Sequence, residues 1–205
     1  MTGRIVILNG APRAGKSSIV AAMQADLSGN WINLGVDMQN RALPPHLLPG
    51  IGLRPGGEKP ELEETVRALY LALYQSIAAH ARAGLDVVVD VGHHDHYSRP
   101  LGILPACAGI LDGLDVHFVG VRCPVEIIMA RRNADTGSLY VKGEGVPAPV
   151  QRWQDAVHVP GIYDLEIDTS AMAPEDAARA IGAALAAPRP HPTAMQRLAA
   201  MDQAR

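Results

Sequence analysis

Short apolar runs punctuate the chain, and helical repeats fill the intervals between them. Arg4-Ile5-Val6-Ile7-Leu8-Asn9 stops at Gly10; Trp31 to Val36 is a second run, and Asp86 to Val91 a third, β-branched throughout its centre. Val116 to Val121 is a fourth and Asp164 to Asp168 a shorter fifth. The first, third and fourth are continuously apolar, which is the pattern of strands covered on both faces of a parallel sheet. The spacing predicts helices over Ser17–Leu27, Glu61–Arg82, Leu101–Leu111, Val125–Arg132, Ala148–Val157 and Pro174–Ala186. In the longest, Leu62, Val66, Leu69, Leu73 and Ile77 recur at steps of four, three, four and four, on one face. Glu61, Glu63 and Glu64 stand in its first turn and Gly84 follows its end, as the helix dipole and a C-terminal cap require. Alternating β and α elements imply an α/β sheet with helices on both faces.

Two stretches interrupt this rhythm. The segment from about 38 to 60 is rich in proline and glycine from Leu43 onward and reads as a loop insertion. Residues 188–205 open with Pro-Arg-Pro-His-Pro and continue as a short Ala/Met/Leu helix, a tail that docks on the domain or on a neighbouring chain, leaving a homo-oligomer open. The expected organisation is therefore one domain over 1–187 followed by that tail, since 205 residues suit one domain at roughly 100–200 residues each.

Composition narrows the class. Hydrophobic residues make up 48% and charged residues 19%, enough to build a core, and no apolar run approaches the roughly 18 residues a membrane span needs. Cys107 and Cys123 cannot make a disulfide framework. The opening Met-Thr-Gly-Arg runs straight into a strand without the pattern of a signal peptide, so a cytoplasmic protein is expected. A net charge of −3 gives no electrostatic case for nucleic acid.

The chemistry is concentrated in Gly10-Ala11-Pro12-Arg13-Ala14-Gly15-Lys16-Ser17, followed by Ser18. It matches the phosphate-binding loop GxxxxGK[ST] and has the required context, a buried strand before and a helix after. Two glycines let the backbone fold tightly around an anion, and the helix N-terminus points at it. Lys16 then sets a cation between the β- and γ-phosphates of ATP, and the Ser17 hydroxyl can ligate Mg²⁺. Lys16 is one of only three lysines in the chain, so the basic residues are otherwise arginines.

Two carboxylates follow. Asp37 ends the second run; if that strand neighbours the first, the side chain faces the γ-phosphate as an acceptor base, and otherwise it caps a helix. Asp90 ends Val87-Val88-Val89, the Walker-B arrangement that supports Mg²⁺, or else a strand-end turn. His93-His94-Asp95-His96 suggests a metal, but adjacent histidines seldom converge on one ion and no second cluster completes a site, so a polar loop over an acceptor pocket is the better reading. With the segment 38–60, residues 92–100 would form and cover that pocket, because ligands of open α/β sheets collect beyond the strands' carboxyl ends. Arg131 and Arg132 are candidates to stabilise charge on the migrating phosphoryl group, against a solvated helix face.

These segments resemble the chloramphenicol phosphotransferase-like family of P-loop kinases over most of the chain. IVILNGAPRAGKSSIVAAMQ is similar to its opening strand, loop and helix. WINLGVD is similar to its second strand, with the proposed catalytic aspartate falling on Asp37, and ARAGLDVVVD to its third, with Asp90 at the acidic position. DVHFVGVRCP resembles the fourth strand, and VHVPGIYDLEIDTS the closing segment that here carries His158, Tyr163 and Asp164. The resemblance implies a P-loop kinase fold with a five-stranded parallel sheet, and ATP-dependent phosphorylation of a hydroxyl on a small molecule, such as an antibiotic like chloramphenicol. The family's lid usually carries an Arg-Gly-Asp-Arg-like run; here it reads Arg131-Arg132-Asn133-Ala134-Asp135-Thr136-Gly137, without a second arginine downstream. Two alternatives stand beside this reading: a zeta-toxin-like kinase of a nucleotide-sugar, which shares the loop and the acidic residue after the second strand, and a nucleotide-binding regulatory module without phosphoryl transfer.

Overall fold

A computed structural model describes residues 2–48, 59–134 and 145–202. Five strands, β1 (Ile5–Asn9), β2 (Trp31–Asn33), β3 (Asp86–Val91), β4 (Val116–Arg122) and β5 (Leu165–Asp168), form one parallel sheet in the order β2-β3-β1-β4-β5. β1 is central, with Ile5 level with Val87 on one side and Val116 on the other. All five of its residues are buried, Ile5 and Ile7 in the core on one face, Val6 and Leu8 in the core on the other. The continuous apolar runs thus belong to strands covered on both faces.

Among the described residues eight α-helices supply the cover: α1 (Lys16–Asp26), α2 (Val36–Asn40), α3 (Glu63–Arg82), α4 (Ile103–Ile110), α5 (Val125–Ala134), α6 (Ala148–Ala156), α7 (Pro174–Ala186) and α8 (Ala194–Asp202). α3, α4 and α8 pack on the face of Ile5 and Ile7, and α1 and α7 on the face of Val6 and Leu8. No helix among the described residues is long and apolar enough to cross a membrane.

The second strand is shorter than its apolar run. It ends at Asn33 rather than Val36, because the Asn33 side-chain oxygen accepts the Gly35 N–H at 2.9 Å and turns the chain into α2. It also lies beside β3, not β1. The position next to β1 goes to the Val87-Val88-Val89 strand, whose three residues are fully buried, whereas Ile32 and Asn33 are only partly covered and suit an edge.

The C-terminal segment is built into this core. Ala194, Met195 and Leu198 of α8 are buried against α4 and β4. Asp164 fastens it: one carboxylate oxygen accepts the Phe118 N–H on β4 and the other the Ala194 N–H at the start of α8, both at 2.9 Å. Leu198 is fully buried. Leu198→Ala should therefore cost about 2–5 kcal/mol, the range for a core leucine, read as a fall in urea midpoint with the slope unchanged; a loss below about 0.5 kcal/mol, the usual surface value, would mean that α8 is not part of the folding unit.

Candidate functional site

The phosphate loop leaves the carboxyl end of β1 at the centre of the sheet. Gly10 donates its N–H to the Val91 carbonyl at 3.2 Å, tying the loop's first residue to β3. Arg13 at φ 68° and Gly15 at φ 98° both adopt the left-handed conformation, which curls the loop and makes Gly15 the residue that starts α1. Among the described residues no side chain caps that helix, and its first N–H groups can meet an anion. The Lys16 ammonium donates to the Gly10 carbonyl at 2.7 Å and the Ala11 carbonyl at 2.9 Å. Burial lowers its pKa to about 8, against the upward pull of Asp90 and Asp37.

Both carboxylates therefore act on the same ammonium. Asp90 is level with Leu8 across the β1–β3 ladder and accepts the Ser17 hydroxyl at 2.9 Å. Gly35 passes directly against it: a Cβ there would lie 1.6 Å from the Asp90 Oδ1. Only a glycine permits this approach, and it carries the chain over Asp90 so that Asp37, two residues on, reaches the same cavity. Asp37 is neither at a strand end nor a helix cap. It is an exposed residue in the first turn of α2, for which Gly35 is the N-terminal boundary.

The Ser17 hydroxyl and Asp90 carboxylate are hard oxygen donors suited to Mg²⁺. Among the described residues no group of three His, Cys, Asp or Glu side chains could hold a metal. An ion here would thus share its coordination with phosphate oxygens, as Mg²⁺ in phosphoryl-transfer sites does.

A cavity of about 990 Å³ runs from this loop to an aromatic end. There it is lined by Val66 and Tyr70 of α3, Asn40 of α2, His94 and Tyr97 of the β3–α4 loop, and Trp153 of α6. His94 stacks on Tyr97 with ring centroids 4.4 Å apart and meets Trp153 edge-on at 5.0 Å. The histidine run is divided among separate tasks. His93 is buried in the core beside Tyr74, its Nε2 2.7 Å from the tyrosine hydroxyl, and burial lowers its pKa to about 3, so the ring is neutral. Asp95 accepts the Leu101 and Gly102 N–H groups at 2.8 and 3.0 Å, and Glu63 accepts the Ser98 N–H at 2.8 Å, fastening the loop to itself and to α3. From the 38–60 segment Asn40 reaches the cavity, while residues 49–58 lie outside the described residues.

Arg13, Lys16, Arg131 and Arg132 all line the cavity along its phosphate-loop side. Arg131 is held there by protein oxygens, donating to the Thr169 carbonyl at 2.8 Å and to the Thr169 hydroxyl and Arg13 carbonyl at 3.2 Å. Arg132 is buried, and burial with the neighbouring Arg13 lowers its pKa. Residues 135–137 of the lid run lie outside the described residues. His158, Tyr163 and Asp164 are not among the lining residues; they brace the sheet from behind.

Tyr70 and Trp153 were not singled out from the sequence. Aromatic residues are only 4% of the chain, with five tyrosines and two tryptophans. That Tyr70, Tyr97 and Trp153 converge on one cavity is the signal such scarcity could have carried.

A model of chloramphenicol phosphotransferase-like proteins matches residues 3–186. The chain belongs to that family. Over 96% of its length it is 29% identical to a Mycobacterium tuberculosis protein provisionally named an O-phosphotransferase, covering 88% of that protein. A sugar kinase from a Janibacter species superposes with a TM-score of 0.63 at 16% identity, covering 90% of this chain and 95% of that one. The M. tuberculosis adenylylsulfate (APS) kinase, solved with AMPPNP and APS, gives 0.61 at 18%, covering 91% and 99%. This phosphotransferase-like chain therefore has the P-loop kinase fold.

The Lys16 environment fixes a pH dependence for this family member. Phosphates prefer the protonated ammonium, so nucleotide affinity should be complete below pH 8 and fall as pH rises through that value. Calorimetry of a non-hydrolysable ATP analogue in buffers of different ionisation enthalpy should detect proton uptake near pH 8; flat affinity from pH 7 to 10 would remove Lys16 from the phosphate contact.

Proposed function

We propose that this protein is an ATP-dependent, Mg²⁺-assisted kinase that phosphorylates a hydroxyl of a small molecule, with Asp37 as the acceptor base. The observation that carries this reading is the arrangement of Asp37 and Asp90 around Lys16 at the head of a cavity whose far end is aromatic. Asp90 and Ser17 would hold the ion beside the phosphates, and Mg²⁺ when bound supplies neutralisation of phosphate charge. Among the described residues the Asp37 side chain makes no hydrogen bond that would explain its place in the fold.

An alcohol's own pKa lies far above 7, so it reacts poorly unless its proton has a destination. The Asp37 carboxylate orients the hydroxyl in line with the γ-phosphorus and takes its proton as the new O–P bond forms and the bond to the β-phosphate oxygen breaks, releasing ADP. Lys16 follows the charge moving onto that leaving oxygen. Arg132 and Arg131, on the same bank as Lys16, are the cations available to the migrating group. The aromatic end would receive the body of the acceptor, and at that end the described lining residues include no lysine or arginine, which favours an uncharged, ring-bearing alcohol. Hydroxylated antibiotics of the chloramphenicol kind fit that description.

The test is phosphoryl transfer from ATP to neutral hydroxylated ring compounds, chloramphenicol among them, with mass spectrometry for a product one phosphoryl group heavier. On the acceptor so found, Asp37→Asn should leave nucleotide binding intact and lower kcat by roughly 10²–10⁴-fold, the range of a positioned acid–base group. A folded Asp37→Asn protein with near-normal kcat would assign the residue to the surface of α2 and the base to another group.

A further inference from the structure

The last residue of β1 is an anomaly. Ile5-Val6-Ile7-Leu8 is wholly apolar, yet Asn9, the next residue, is just as buried, at 1% exposure. Asparagine is a poor strand residue, and a buried amide is costly unless every hydrogen bond is made. Here they are made, to segments far apart in sequence. The side-chain oxygen accepts the His93 N–H at 2.7 Å. The side-chain nitrogen donates to the Val157 carbonyl at 2.8 Å and to the Tyr163 hydroxyl at 2.9 Å. The orientation of the amide is unambiguous, because His93 N–H can only donate and the Val157 carbonyl can only accept.

Each of the first two partners adjoins one half of the aromatic end of the cavity. His93 immediately precedes His94. Val157 donates its own N–H to the Trp153 carbonyl at 3.0 Å, so it closes the helical turn that carries Trp153. The two halves touch one another, His94 edge-on to Trp153. Gly10, the first residue of the phosphate loop, is bonded covalently to Asn9 itself. One side chain thus holds both halves of the aromatic wall at a fixed distance from the loop.

We propose that Asn9 is a positioning residue that joins the acceptor wall to the phosphate loop and sets the acceptor's place relative to the γ-phosphate. This rests on the kinase reading of the site. Asn9 touches neither reactant; it acts through His94, Trp153 and Gly10. Ordering the loop by nucleotide should therefore be felt at both halves of the wall.

Hydrogen exchange with a non-hydrolysable ATP analogue and Mg²⁺ reads this directly and needs no acceptor. In the wild-type chain the analogue should slow exchange in peptides spanning 10–18, 92–97 and 153–158. Asn9→Ala should bind the analogue within about threefold of wild type, keep protection over 10–18, and lose it over 92–97 and 153–158, where exchange should rise by about tenfold or more. Tyr163→Phe keeps the ring against Gly120 and removes one arm of Asn9 together with the hydroxyl's contact to His158 Nδ1, so it should preserve the 92–97 protection; it serves too as the second variant if Asn9→Ala does not fold. Were the bonds merely structural, Asn9→Ala would lower thermal stability while nucleotide-induced protection of the wall persisted, and that result overturns the inference alone. A folded wild-type chain that does not bind the analogue overturns the kinase reading and this inference with it. If only Tyr163→Phe can be made, loss of protection over 92–97 in that variant overturns it, because the His93 bond is then not what transmits the order.

Discussion

The arrangement depends on one constraint: β1 is buried on both faces and both edges. β3 and β4 occupy its flanks, and helices cover it above and below. Such a strand has no solvent-facing position for chemistry along its length. Its polar work has to begin where it stops, at Asn9 and Gly10, and because all five strands run parallel, the neighbouring strands stop at the same edge. Asp90 from β3 and the phosphate loop from β1 meet for that reason, and the loop cavity forms between them.

Much of this was legible in the sequence because the informative residues sit in local patterns. Val87-Val88-Val89 announces a covered strand, and the glycines, lysine and serine of residues 10–17 announce an anion loop. The β1–β3 pairing was less legible, since it depends on which apolar run competes best for the centre. Three fully buried valines outcompete Trp31-Ile32-Asn33, whose last residue prefers to bond its own chain at Gly35. That local bond ends β2 early and moves Asp37 from a strand end to a helix turn. The side chain nonetheless reaches the cavity that a strand end would have faced, because the Gly35 turn crosses Asp90 at a distance no other residue could tolerate. Residues such as Tyr70 and Trp153 stayed hidden for another reason. Each lies on a helix whose periodicity identifies a buried side but does not say whether that side meets core or cavity.

The charge distribution follows from the same geometry. Phosphates require cations, and the cavity's arginines and Lys16 gather at the loop; holding them so close is tolerable because carbonyls and carboxylates answer them. Thr169 and the Arg13 carbonyl hold Arg131, while the Gly10 and Ala11 carbonyls hold Lys16. Even so, burial takes the Lys16 pKa down to about 8. The lysine thus stands near the point where its proton can respond to what binds, and a ligand carrying several negative charges restores the ordinary preference for the charged form.

The far wall reaches the opposite electrostatic condition by the division of adjacent histidines. Beyond the end of β3 the chain still turns successive side chains to different sides. His93 enters the core, neutral and 2.7 Å from the Tyr74 hydroxyl, and His94 lies in the cavity between Tyr97 and Trp153. Two neighbouring imidazoles so divided cannot share an ion, and among the described residues no three His, Cys, Asp or Glu side chains are grouped to hold one. The His94 Nδ1 lies 3.2 Å from the His96 N–H and accepts from it, so this nitrogen is a lone-pair acceptor, not a donor. What the run supplies is a fixed aromatic surface, fastened by Asp95 and Glu63 and opposed to a loop rich in cations. The loop bank therefore suits phosphate charge and the aromatic bank suits the face of a ring, and a single cavity joins the two.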